Sequence, residues 1–152
     1  MRTEAKKTGA AMKCVKLLFI LVLLGVSGAG NTPTSEIKII ANSNVDASEI
    51  SRDDLNRIFM MTKTSLPGTA HVEPVLEDAG TVCDMFLKEY IGRTNTALMT
   101  YYRSLMFSGK ASIPRSFPSD SEVAAYVAKT KGAIGYVAST ANTAGVKTLK
   151  VK

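Results

Sequence analysis

The stretch from Val72 to Ile91, VEPVLEDAGTVCDMFLKEYI, leaves little choice of local structure. Val72, Val75 and Leu76 are strand formers, and Val82, Met85, Phe86 and Tyr90 recur at helical spacing on one face. Between them Asp78-Ala79-Gly80-Thr81 makes a tight loop. A strand, a loop and a helix in immediate succession are the building unit of α/β sheets. In such sheets the loop after a strand meets ligands, and the free amides of the next helix attract anions. Gly80 lets the backbone approach a ligand and Thr81 offers a hydroxyl. The same two residues also suit a plain turn and a helix cap, so the loop alone leaves both readings open.

The flanking chain supplies more of the same units. Ile37 to Ala41 is a nearly continuous apolar run, as for a strand covered on both faces, and Asn42-Ser43-Asn44 ends it, either as a turn or as polar groups for a ligand. Ser51 caps a helix whose Asp53 and Asp54 suit its positive end, with Leu55, Ile58 and Phe59 inward. Because strand-helix-strand crossovers are right-handed and usually parallel, the first strand and the Val72–Leu76 strand are expected side by side or nearly so. Gly92 stops the central helix, and Thr94 or Asn95 caps the next, whose Leu98, Tyr101, Tyr102, Leu105 and Met106 form an apolar stripe ending at Gly109. Residues 110–118 read as an exposed loop. Ser119 and Glu122 fit a capping box before Val123, Tyr126 and Val127. Gly132 then ends this helix ahead of a strand, Ala133 to Val137, whose Gly135 signals close approach of a backbone or a ligand. Val146 to Val151 forms a last strand.

The amino terminus reads as a secretory signal peptide over residues 1–30. Five basic residues precede or flank the apolar run Leu17 to Val26, and Ser27-Gly28-Ala29-Gly30 offers small residues for cleavage. The run is well short of the roughly 20 residues needed to span a bilayer. Met12-Lys13 is an equally good start, so residues 1–11 read as an extended start. Residues 31–35 form a polar, flexible lead-in, and the domain occupies residues 36–152. Residues 1–30 hold five basic residues and one acid, leaving 14 basic against 12 acidic residues in the remainder. Those charges are interspersed, which excludes a nucleic-acid site. Beyond the leader Cys83 is the only cysteine, expected as a buried apolar residue. His71 is the only histidine. With no metal-ligand cluster, P-loop or nucleophile elbow in the sequence, we expect no enzyme, no catalytic residues, no metal and no cofactor.

Three stretches in this order, SRDDLNRIFMMTKT from Ser51, the strand-loop-helix from Glu73 to Tyr90, and GAIGYV from Gly132, resemble the phosphate-binding proteins of bacterial ABC transporters. More closely, the chain resembles short secreted domains of periplasmic-binding-protein type. The resemblance implies an α/β fold, a single lobe of a type II periplasmic-binding-protein-like fold. Its sheet would be mixed and mostly parallel, flanked by helices, and its location the periplasm. It also implies that phosphate or another small oxyanion is held by the loop after the second strand. In the large phosphate binders an arginine precedes a Ser-Asp-Gly-Ser-Gly-Thr-like run. Here Asp78, Gly80 and Thr81 match, Leu76 and Glu77 occupy the neighbourhood of the arginine, and Ala79 replaces a glycine or serine.

The ligand edge expected from the sequence comprises Asn42, Ser43, Asp78, Ala79, Gly80, Thr81, Gly135 and Tyr136. Two functions fit it. One is a solute-binding module for transport or sensing. The other is a non-catalytic interaction protein that keeps this fold and docks onto a membrane transporter, a receptor or an envelope complex. A chain long enough for one lobe leaves the opposite wall of a cleft to such a partner or to self-association.

Overall fold

In a computed structural model, residues 36–152 are described and form a six-stranded sheet between two helical layers. The expectations for the signal peptide and for residues 31–35 lie outside the described residues. In chain order the elements are β1 (Ile37–Ala41), β2 (Glu49–Ile50), α1 (Arg52–Phe59), β3 (Glu73–Glu77) and α2 (Thr81–Phe86). A π-helical turn (Leu87–Ile91) leads to α3 (Asn95–Phe107), β4 (Arg115–Phe117), α4 (Asp120–Lys129), β5 (Ala133–Ala138) and β6 (Lys147–Val151).

The strand order is β2-β6-β1-β5-β3-β4. β1 is antiparallel to both β5 and β6, whereas β2 is parallel to β6 and β3 is parallel to both β5 and β4. Five strands therefore run one way and β1 alone runs against them. This is the mixed, mostly parallel α/β sheet expected, with one correction to its connections. β1 and β3 are antiparallel, with β5 between them, and the parallel crossover through α1 starts instead from β2. Two residues of strand, Glu49 and Ile50, were enough to take that role, and their polar-apolar pair carries no visible period.

Alternate strand residues feed two cores. On one face Ile39, Leu76, Ile134 and Tyr136 meet Leu55 and Phe59 of α1, Phe86 of α2, and Leu98 and Tyr102 of α3. On the other, Ile40, Val75, Ala133 and Val137 meet Val123, Ala124 and Val127 of α4. Gly135 faces this second core. A Cβ there would stand 3.0 Å from Val123 Cγ1 and 3.3 Å from Val127 Cγ2, so the glycine lets α4 lie close on the sheet.

Helix ends follow the sequence. Ser51, Thr94 and Ser119 accept from the amides of Asp54, Ala97 and Glu122, and Gly92 closes the π turn in a left-handed conformation. Thr81, in contrast, is not a cap: it is the first residue of α2, with its side chain exposed. The π turn adds a residue to one turn of the central helix, so the buried set becomes Cys83, Phe86, Leu87 and Ile91, with Val82, Met85 and Tyr90 only partly covered. Leu105, expected in the core, is half-buried, because α3 buries only the narrow stripe of Leu98 and Tyr102. The loop expected over residues 110–118 contains β4, a three-residue edge strand with exposed Arg115 and Ser116.

Candidate functional site

The loop after β3 is fixed by three neighbouring elements. The Tyr136 hydroxyl of β5 accepts from the Glu77 amide at 3.1 Å and donates to the Glu77 carbonyl at 3.5 Å. The Asp78 amide donates to the Phe117 carbonyl of β4 at 2.9 Å, and Asn95 at the start of α3 donates to the Asp78 carbonyl at 3.0 Å. Gly80 then takes φ +135°, a conformation that L side chains rarely adopt, and its carbonyl begins α2 by accepting from Asp84. Asp78, Ala79, Gly80 and Thr81 are all exposed at this edge. Among the sequence-expected site residues these four stand together.

Glu77 is half-buried. One carboxyl oxygen, Oε2, is sealed from solvent and has no hydrogen-bond partner, and the other lies 3.9 Å from where a Cβ on Gly80 would be. Burial first, then the charges of Asp120 and Asp78, raise its pKa above the ordinary carboxylate value. The group thus favours its protonated form more than a free glutamate does. As an acid it is a hydrogen-bond donor; as a carboxylate it only accepts.

Glu77 lines a hollow of about 410 Å³ with Pro118, Ser119, Asp120, Ser121, Ala141 and Asn142. The parallel pairing of β3 with β4 brings the start of α4 to this edge, and the Ala138 amide fixes Asp120 by donating to its Oδ1 at 3.1 Å. Ser119, Asp120, Ser121 and Asn142 were not among the residues expected at the site. Their signal was hidden because a capping box explained residues 119–122 and β4 was read as loop. Asp84, Lys88, Arg93, Thr94 and Asn95 border a second hollow of about 460 Å³ together with Leu87 and Gly92.

The structure does not bring Asn42 and Ser43 to this edge. Since β1 runs against β3 and β5, its carboxyl end lies beside the start of β5, where the Asn42 amide donates to the Ala133 carbonyl. Asn42 is buried and committed: its Nδ2 donates to the carbonyls of Val127 at 2.8 Å and Ala128 at 2.9 Å, and its Oδ1 accepts from Asn44. Ser43 is an exposed turn residue at that end. Gly135 is a packing residue, as described above. Tyr136 has no exposed surface and serves the loop from beneath, as its support.

Cys83 is buried next to the Tyr136 hydroxyl, and burial pushes its thiol pKa up, the reverse of an activated nucleophile. His71 is exposed. Among the described residues no cluster of His, Cys, Asp or Glu is arranged to hold a metal, and no helix is long and apolar enough to cross a membrane.

No protein-family model matches the sequence, and no curated protein is similar to it. Solved structures are similar in fold. PstS from Borrelia burgdorferi superposes with a TM-score of 0.59 at 14% identity, over 78% of this chain and 47% of that one. A putative phosphate ABC transporter substrate-binding protein with bound phosphate from Clostridium perfringens gives 0.57 at 18% identity, over 77% and 45%. An ABC-type phosphate transport receptor from Vibrio cholerae gives 0.52 at 15% identity, over 77% and 46%. The chain spans less than half the length of these neighbours. The chain shares the α/β fold of these structures over less than half of their length, which is the extent of a single lobe.

Proposed function

We propose that this chain is an exported, non-catalytic solute-binding lobe that takes a small oxyanion, phosphate foremost, at the loop from Glu77 to Thr81. The observation that carries the reading is the Glu77 carboxyl at this loop: its Oε2 is sealed and unpartnered, and its Oε1 is the oxygen that lies beside Gly80. A carboxylate there repels an anion, whereas the protonated acid donates to it, and burial beside Asp78 and Asp120 already favours the proton. Oxyanion binding then takes up a proton and strengthens as pH falls. Good sites enclose some 70 to 90% of a ligand. A single lobe encloses far less, so affinity is weak until a partner in the membrane or a second copy supplies the other wall.

Titration calorimetry at about pH 4 and about pH 8, below and above the ordinary carboxyl value of 4.5, tests this. Sulfate, whose charge does not change over that range, is used beside phosphate. The expected result is weak heat that grows at the lower pH for both anions. Thr81→Ala weakens it, and Glu77→Arg strengthens it and removes the pH dependence through a bidentate contact. No heat from wild type or from either variant overturns the anion site.

A second reading has its own support. Glu77, Asp78 and Asp120 make the edge acidic at neutral pH, which suits a cationic protein surface better than a free anion. In that case the lobe is an interaction protein that docks onto a transporter, a receptor or an envelope complex.

A further inference from the structure

The cations of this chain are unevenly placed. Between Glu89 and Asp120 there is no acidic residue, yet Arg93, Arg103, Lys110 and Arg115 all lie in that segment. All four are exposed, and none forms an ion pair among the described residues; elsewhere Arg52, Arg57, Lys63 and Lys152 are paired, and Lys38, Lys88, Lys129, Lys131, Lys147 and Lys150 are not, so what sets this segment apart is its lack of acids.

The same segment carries the apolar groups most open to solvent. Phe107 is 83% exposed and Met106 44% exposed, side by side in the last turn of α3, and Ile113 follows in the next loop at 39%. The end of α3 is firmly closed, with the Gly109 amide donating to the Met106 carbonyl and the Lys110 amide to the Leu105 carbonyl. That closure holds Lys110 at the same tip as Phe107. Arg103 lies one turn back on the Phe107 face, at the i, i+4 spacing. Arg93 is folded along the helix, its guanidinium 5.6 Å from the centre of the Tyr101 ring. The tip therefore presents an aromatic and a thioether side chain outward, flanked by Arg103 and Lys110, neither of them ion-paired among the described residues.

We infer that the carboxyl-terminal tip of α3 is a peripheral docking site for an anionic bilayer surface, with Phe107 and Met106 entering the headgroup region and Arg103 and Lys110 meeting lipid phosphates. The occupant follows from the shape and the charge. Phe107 and Met106 project from the end of a helix and line none of the hollows, whereas Ile113 and Arg115 border one of about 510 Å³; a helix or peptide entering that groove would not need Phe107 or Met106. Apolar side chains set among lysines and arginines are the pattern of surface-bound amphipathic elements, whose binding adds apolar burial to attraction by anionic lipid.

The chain contains no tryptophan, so Phe107→Trp places a single reporter at the tip of the full chain. Ala144→Trp places the control in the turn before β6, where Gly145 lies against Ala128 of α4, in the other helical layer. Vesicles of phosphatidylcholine containing phosphatidylglycerol should shift Phe107→Trp emission to the blue, and brominated lipid should quench it. Pure phosphatidylcholine should do neither, and the control should not respond to either vesicle. Adding Arg103→Glu and Lys110→Glu to the reporter should weaken the response roughly thirtyfold or more, and added salt should weaken the parent.

A silent Phe107→Trp with anionic vesicles overturns the proposal in favour of a protein occupant or none. An equal response to neutral vesicles overturns it as well. An equal response of the Ala144→Trp control shows that the vesicle holds the chain elsewhere, through its apolar amino terminus included, and overturns the tip as the docking element. The double charge variant must retain the wild-type circular dichroism spectrum and melting temperature; its exposed sites give no structural reason for loss.

Discussion

Phe86 of the central helix and Tyr136 of β5 stack face to face, with ring centroids 3.9 Å apart and planes within 7° of parallel. Phe59 leans on both, at 4.6 Å from Phe86 and 5.9 Å from Tyr136. This trio joins the helical layer to the sheet directly beneath the Glu77 loop, so one contact holds both the core and the site. Phe86→Ala should cost about 3–5 kcal/mol, read from the urea midpoint at an unchanged slope. A loss below about 1 kcal/mol would show that the site collapses around the gap and that the trio is not the centre of the core.

Asn42 ties the turn after β1 to the last turn of α4. Asn42→Ala leaves the Val127 and Ala128 carbonyls without that donor and should cost about 1–3 kcal/mol. Asn42→Asp should be worse at neutral pH, because a carboxylate then faces two carbonyl oxygens, and the gap between the two variants should narrow on acidification. Chemical denaturation at both pH values reads this directly. Equal stability of Asn42→Asp and wild type would remove the tie from the account of the fold.

Glu77 predicts a pH dependence of known sign. Its folded pKa is raised above the ordinary value of 4.5, so the folded state holds the proton more tightly than the unfolded state. The stability this gives is full below the unfolded pKa and is lost as pH rises through the folded pKa. Glu77→Gln keeps the shape without the charge. It should therefore be more stable than wild type at neutral pH, with the advantage shrinking as pH falls toward about 4. Melting temperatures across that range check it, and a constant offset at all pH values would contradict it.

Gly132 ends α4 where the chain passes close to the backbone before β3: a Cβ there would lie 2.3 Å from the His71 carbonyl oxygen. Since backbone cannot swing aside as a side chain does, Gly132→Ala should cost about 2–4 kcal/mol. Near-wild-type melting of this variant would mean that the β3 and β5 amino ends are looser than their hydrogen bonds suggest.

What the sequence made legible and what it hid divide along physical lines. The α1 stripe of Leu55, Ile58 and Phe59 is buried as its period predicts, and β1, β3, β5 and β6 fall where apolar runs placed them, β3 one residue later. These signals are local. The direction of β1 is not local: it depends on β2 taking over the crossover and on pairing with residues near the other end of the chain. That single reversal moved Asn42 and Ser43 to the far edge. Gly135 was rightly read as a point of close approach, but the approaching group is α4, which a pattern of small residues cannot identify. Glu77 was legible as an anomaly in the loop, yet the hollow it shares with Ser119, Asp120 and Asn142 depended on β4, three residues too short to show a period.

The central place of β1 also orders events in time. It is the first described strand to be synthesised, but Ile37 pairs with Ala138 and Ile39 with both Tyr136 and Leu149. Neither neighbour exists until residues 133–151 have been made. Chain closure over some hundred residues must therefore precede the middle of the sheet, a slow, non-local step of the kind that limits folding rates. A nascent chain that stops before β5 keeps both edges of β1 unsatisfied, so the polypeptide stays open to chaperones and to threading through a narrow passage until β5 and β6 are released.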